Sequence, residues 1–263
     1  MAELAQVIHL SEYAGRFERI EDKAARDMVR YLNQTRQAII ARLADIPGDK
    51  FEAQHLRAVM AEVDERLDRF KVQATGALAG GSEEAFVSGA AVVDELIAKT
   101  PLAIRMPMLS DDLLQKSLAF NADLITGIGA DIRKAINTQV QLGVLGAKTP
   151  TEVMKAIGTN LKDPSVFEII ANRAEVIART EVGRVYSMAT FERGQQVAEI
   201  EPEMRKFWIA TSDGRTRETH IAAGSRYSEE NAIPMDKPFF VGGAKLMYPR
   251  DPAGPASETV QCR

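Results

Sequence analysis

At 263 residues, with 45% hydrophobic and 27% charged residues, the chain has the length and composition of a globular protein holding one large domain or two small ones. A net charge of -4 and a sequence pI near 5.6 leave no overall basic field for holding nucleic-acid phosphates. One cysteine, Cys262, excludes an internal disulfide; no apolar run approaches the roughly 20 residues of a membrane span, and the acid-bearing start does not read as a secretory signal.

Apolar residues at Tyr13, Phe17, Ile20, Ala24, Met28, Leu32, Ile39, Leu43 and Ile46 recur three or four apart. That spacing predicts one long helix, or two broken near Gly15, stopped by the IPGD stretch at Ile46 to Asp49. Leu56, Met60, Val63, Leu67, Phe70 and Ala74 mark a second helix. The GGS stretch at Gly80 to Ser82 reads as a break, with Ser82 capping a third, short helix that ends before Thr100. Pro101 and Pro107 make the PLAIRMPML segment irregular. Ser110, Asp111 and Asp112 open a fourth helix running towards Gly143. Within it Gly127 and Gly129, each costing about 1 kcal/mol against alanine, predict a kink or a close helix contact. In KTPTE, Thr149 caps, Pro150 takes the first helical position and Glu152 closes a capping box. Asp163 and Pro164 open the next helix in the same way, and it should reach about Val197.

The pattern changes at Glu201. RKFWIAT, KPFFVGG, KLMY and ETVQC read as short strands, with Gly242-Gly243 as a two-residue hairpin turn and at most two helical turns in TRETHIAAG. Four such strands bury little alone, so they must pack on the preceding helix. The fold class expected is a mainly α N-terminal region, residues 1–160, followed by a small α+β domain, residues 161–263, in which a long helix packs on short antiparallel strands. The second part is expected to stay folded when residues 1–100 are removed.

The helix of NRAEVIARTEVGRVYSM carries the main candidate site. Arg173, Ile177, Thr180, Arg184, Met188 and Phe191 fall on one stripe, so two arginines and a threonine share a face with apolar side chains. Arg193 lies off that stripe, where substitution should be nearly silent. The polar partners lie downstream, in Trp208, in DGRTRETH (Asp213 to His220) and in YPRD (Tyr248 to Asp251). A structural network of Arg173, Thr180, Glu181, Arg184, Trp208, Asp213, Arg217, His220 and Asp251 needs only the rule that buried charges are paired. The competing arrangement is a metal site from His220, Asp251 and Cys262, with Asp213, as in a metal-dependent nuclease. No CxxC, HxxxH or HExxH spacing supports it. No catalytic residue and no cofactor is assigned.

The remaining features have plain structural readings. His9 and His55 lie on helices as ordinary surface or boundary residues. Gly127-Ile128-Gly129 follows a helical pattern, not a strand, and is no phosphate loop. Met106, Met108 and Met154 read as core filler. No serine sits in a nucleophile elbow. Over residues 201–263 nine Lys and Arg balance nine Asp and Glu, so this part has no basic bias either.

RAEVIARTE, a Trp-bearing strand, DGRTRETH, PFFVGG, YPRDP and a final QCR, in that order over about residues 165–263, resemble the Mu F-like family of phage minor head (head morphogenesis) proteins. The resemblance implies a structural virion component inside the head near the portal vertex, made in the host cytoplasm. Implied partners are the portal protein, major capsid or scaffold proteins, further copies of itself and packaged DNA, with no membrane. The family pattern commonly closes on Cys-x-Cys, whereas this sequence has Cys262 followed by Arg263. Relatives joined to C-terminal toxin domains exist, and nothing after Arg263 suggests one here.

Overall fold

The computed structural model describes residues 10–45, 53–101, 106–149, 152–153, 156, 166–211 and 214–261. Four long helices dominate: α1 (Leu10–Ala44), α2 (Ala53–Ile97), α3 (Asp112–Val144) and α4 (Val166–Ile200). Small elements follow: β1 (Arg205–Lys206), α5 (Glu218–Arg226), β2 (Ile233–Pro234), β3 (Phe239–Val241), β4 (Ala244–Leu246) and α6 (Ala256–Thr259). The chain forms two compact units: Met1–Lys23, Gly80–Ser117 and Arg179–Arg263 make the first, and Ala24–Ala79 with Leu118–Ala178 the second. All four long helices supply residues to both.

The second unit is helical packing of the kind its spacing dictates. Met28, Leu32, Ile39, Phe70 and Leu78 are fully buried, as are Ile125, Ile128, Ile132 and Ile136 at three- and four-residue intervals along α3. Arg42–Glu62, Arg133–Asp64 and Arg173–Asp131 lie at its surface. Such exposed pairs each contribute about 1 kcal/mol or less.

In the first unit the second half of α4 is buried on almost every side. Thr190 Oγ1 donates to the Gly89 carbonyl of α2, Phe17 of α1 lies 4.6 Å from Tyr186, and Val197 joins Val93 and Ile97 in a small core that Met106 and Met204 complete. Beyond α4, residues 205–261 have an apolar core of their own: Trp208, Ala223, Tyr227, Phe239, Val241 and Leu246. β1 pairs antiparallel with β2, and β3 with β4, matching Phe239 to Leu246 and Val241 to Ala244. Gly242 and Gly243, with φ of 56° and 83°, form the expected two-residue turn, whose geometry requires positive φ at both positions.

Several expectations hold in detail. The Thr149–Glu152 capping box is reciprocal: Glu152 accepts from the Thr149 amide at 2.8 Å, and the Glu152 amide donates to Thr149 Oγ1 at 3.3 Å. Ser110 Oγ accepts from the Asp112 amide at the start of α3. α1 runs unbroken through Gly15, the one-helix alternative. Others are corrected. α2 runs unbroken through Gly80 to Ser82, and Ser82 is fully buried within it instead of capping a new helix. Two glycines cost about 2 kcal/mol in helix propensity, less than the packing of a 45-residue helix returns. Among the described residues no neighbour comes within 4 Å of a Cβ built at Gly127 or Gly129, so close contact with a described helix does not explain them. Of RKFWIAT only Arg205 and Lys206 pair as strand. Glu258 to Gln261 of ETVQC form no strand: α6 starts after Pro255 and turns Glu258 inward, where the side chains of α5 receive it. Met108 is 89% exposed, not core filler. The IPGD stop, Pro150, Met154, Asp163, Pro164 and His9, together with the His55 side chain, fall outside the described residues.

Candidate functional site

The polar face of α4 between Arg179 and Arg184 is the centre of a buried charged group. Thr180 and Glu181 are 3% and 6% exposed. Arg184 Nη1 donates to Glu181 at 2.6 Å, and its Nε donates to the Arg250 carbonyl at 3.2 Å. Arg250, itself buried, lies flat on α4 at Gly183, where a Cβ would collide with its guanidinium. Its Nη2 reaches Glu21 of α1 at 3.5 Å, and its guanidinium carbon stands 5.2 Å from the Phe17 ring centre. Arg179 joins from the same side, donating to Asp22 at 2.6 Å and lying 3.9 Å from Glu21. Thr180 Oγ1 accepts from the Gln261 amide at 3.2 Å. Burial pushes the Glu181 carboxyl above its ordinary value of 4.5, against the opposing pull of Arg184 and Arg250.

A second group forms between α5 and α6. His220 is fully buried, its Nε2 3.3 Å from Glu258, which also accepts from Thr219 Oγ1 at 2.8 Å. Trp208 meets the His220 ring edge-on at 5.5 Å and Phe239 at 5.2 Å. Burial lowers the His220 value below 6.5, Arg217 lowers it further, and Glu258 works against both. Arg217 donates to the Val260 carbonyl at 2.6 Å.

The sequence-derived set therefore divides. Thr180, Glu181 and Arg184 are together on α4; Trp208, Arg217 and His220 are together in the 205–261 segment. Arg173 is placed elsewhere: it is half-exposed and pairs with Asp131 in the second unit, not with the strands. Among the described residues Asp251 meets no guanidinium. Its two oxygens accept the backbone amides of Met247 at 2.7 Å and Ala253 at 2.9 Å, fixing the turn that presents Arg250. Asp213 and Cys262 lie outside the described residues. Among the described residues no three His, Cys, Asp or Glu side chains are grouped to hold a metal. Arg193 is 7% exposed, donating to the Pro107 carbonyl at 2.6 Å and lying 3.2 Å from Asp94, so the expected silence of its substitution is corrected.

The sequence singles out none of Glu21, Asp22, Arg179, Arg250 and Glu258. Nor does it single out Lys206, whose Nζ donates to the Met247 carbonyl at 2.8 Å and sits over the rings of Phe191 and Phe239 at 4.6 and 4.9 Å. Burial lowers its value from 10.5 to about 8, with Asp236 and Asp251 opposing. Tyr186 and Tyr248 are pushed up by burial from 10.0 to about 12. The signs are opposite. Between pH 8 and 10.5 the unfolded chain holds the Lys206 proton more tightly, so that contribution to stability grows as pH rises. Above pH 10 the unfolded chain loses the tyrosine protons first, and their contribution falls as pH climbs to 12. Urea midpoints should rise from pH 8 towards 10 and then fall; Lys206→Met should flatten the rise and leave the fall. A rise of equal size in that variant would remove Lys206 as its cause.

Chemically, both groups spend their charged donors and acceptors on each other and on backbone, and the Trp208 Nε1 donor has no acceptor among the described residues. The family described as "Phage Mu protein F like protein" matches residues 130–263. The chain belongs to this family. The Mu F-like match starts within α3, well upstream of the motifs that carry the resemblance, and takes in both polar groups apart from Glu21 and Asp22. The family is one of phage head morphogenesis proteins. A curated protein named NAD(+)--arginine ADP-ribosyltransferase EFV, from Enterococcus faecalis (strain ATCC 700802 / V583), is 28% identical over 133 residues. That alignment covers 51% of this chain and 25% of the relative, so the chain spans about a quarter of that protein's length. No solved structure matches. No helix among the described residues is long and apolar enough to cross a membrane.

Proposed function

We propose that this Mu F-like protein is a minor structural component of a tailed-phage head, carried inside the capsid at or near the portal and acting in head assembly, with a part in genome packaging or delivery. The observation that carries the reading is the family match over residues 130–263. The site geometry supports it, because the charged groups on α4 and around His220 pair with one another and with backbone in the manner of a structural network. In this reading residues 1–160 are the portal- and capsid-docking region and residues 161–263 the head-morphogenesis domain. The partners are the portal protein, major capsid or scaffold proteins, further copies of the chain and packaged DNA.

Mass spectrometry of purified particles, before and after genome release, should find the protein in heads together with the portal protein; absence from both samples would end the proposal. Segments Met1–Lys23 and Gly80–Ser117 pack in one unit with Arg179–Arg263, so deleting residues 1–100 would damage both parts at once. Surface substitutions are the cleaner test of the division. Val72 and Val87 of α2 are 73% and 67% exposed, and Ile209 and Phe240 are 54% and 45% exposed. Val72→Asp or Val87→Asp should reduce portal co-purification, and Ile209→Asp or Phe240→Asp should not. The reverse pattern would assign docking to residues 161–263. About one zinc per chain, lost on substituting His220 or Asp251, would favour the metal-dependent hydrolase instead.

A further inference from the structure

Residues 205–261 carry their own core, six buried side chains drawn entirely from that segment. Their attachment to α1 and α4 has a different character. At one end it is charged: Arg250 enters between Gly183 and Phe17 and faces Glu21, while Arg184 reaches back to the Arg250 carbonyl. At the other end it is apolar, with Tyr248 on Phe191 at 5.2 Å and Met235 against Gly194.

Two non-glycine residues among those described have positive φ, Arg250 at 65° and Gln261 at 49°. Both make polar contacts across this junction, Arg250 through its carbonyl to Arg184 of α4 and its side chain to Glu21 of α1, and Gln261 through its amide to Thr180 of α4. The left-handed conformation is costly for a residue with a Cβ. Backbone strain is thus concentrated where the segment meets the helix, and not in its own core. The charges placed there also give up hydration, which they recover on separation. Apolar contact and the Arg250–Glu21 and Arg184–Arg250 contacts hold the two surfaces together, while backbone strain and the hydration regained on separation favour release.

We infer that residues 205–261 form a releasable cap, which leaves the Thr180–Phe191 face of α4 as a folded unit while its own core stays closed. The chain between them is short: Pro202 and Glu203 are an exposed turn between α4 and β1, suited to act as the hinge. Release would bare Thr180, Glu181, Arg184 and Phe191, the polar-apolar stripe that α4 otherwise hides. This is a conformational device of the fold, independent of where the protein acts.

Hydroxyl-radical footprinting of the full chain tests it, because the reporters separate cleanly. Phe191 and Tyr248 report the docked contact, whereas Trp208 and Phe239 report the cap's core. In Arg250→Ala, oxidation of Phe191 and Tyr248 should rise several-fold while Trp208 and Phe239 stay as protected as in the parent. Parallel rises at all four residues would mean that the segment unfolds when it leaves, and no rise at Phe191 would mean that it does not leave; either overturns the proposal. Gln261→Gly removes strain but keeps the amide that Thr180 accepts. In low urea it should lower Phe191 labelling below the parent, and an equal or higher value would remove strain from the account.

Discussion

Trp208→Ala is expected to unfold the 205–261 segment, with a loss of about 3–5 kcal/mol, the range for removing a buried Trp or Phe side chain. The indole is 3% exposed and touches Phe239 and His220, each nearly perpendicular to it. Edge-to-face ring pairs add about 0.5–1.5 kcal/mol beyond area burial. The core it belongs to has only six buried members, so nothing nearby can close over the cavity. Its Nε1 finds no hydrogen-bond acceptor among the described residues, which means the ring, not the donor, supplies the stability. Trp208→Phe should therefore cost well under half as much. Hydrogen exchange at the amides of Phe239 to Leu246 reads the result directly. Protection that survives in Trp208→Ala would show that the hairpin is held by the helices and has no independent core, which would also undercut its release as a unit.

How far the sequence carries the structure depends on the range of each interaction. Local signals were readable: the Thr149–Glu152 box and the Gly242-Gly243 turn are set by residues within a few positions of one another. Helix breaks were less so, because Gly80 and Gly81 favour a break locally while the burial of Ser82, Ala85 and Phe86 decides for continuation. On α4 the expected stripe was real between Ile177 and Phe191 but told half the story. Ala178, Val182, Val185 and Ala189, on other faces, are equally buried, so a helix enclosed on all sides was read as one with a single important face. Arg193 lies off that face and is nonetheless anchored at Pro107.

The charged partners were harder still. The sequence points to carboxylates downstream of α4, Asp213 and Asp251, because the strands that follow are the natural cover for it. Asp251 had a nearer use, accepting amides four and two residues away, and that turn is what sends Arg250 into the interface. The carboxylate facing Arg250 is Glu21, 229 positions earlier in the chain. On α1 it sits beside Ile20, and no periodicity distinguishes it from the solvent-facing acids nearby.

Glu21→Ala should accordingly be the most damaging change in α1 outside its apolar positions. Glu21 is 7% exposed and Arg250 4% exposed. Removing one member of a buried pair strands the other charge, at about 3–5 kcal/mol. The 3.5 Å separation is long for an ion pair, and Arg250 keeps its place over Phe17, so the lower end of that range is expected. Arg179 limits the damage on the other side, since its 2.6 Å bond to Asp22 does not involve Glu21. Glu21→Gln preserves volume and one acceptor but not charge, and should fall between the parent and the alanine variant. Arg173→Ala is the matched control: its side chain and that of Asp131 are each 50% exposed, and such a pair is worth about 1 kcal/mol or less. In urea titrations followed by helical circular dichroism, Glu21→Ala should lower the midpoint far more than Arg173→Ala. Equal small shifts would mean that water reaches Arg250 freely, and the buried network would then lose its claim to hold the 205–261 segment on α1 and α4.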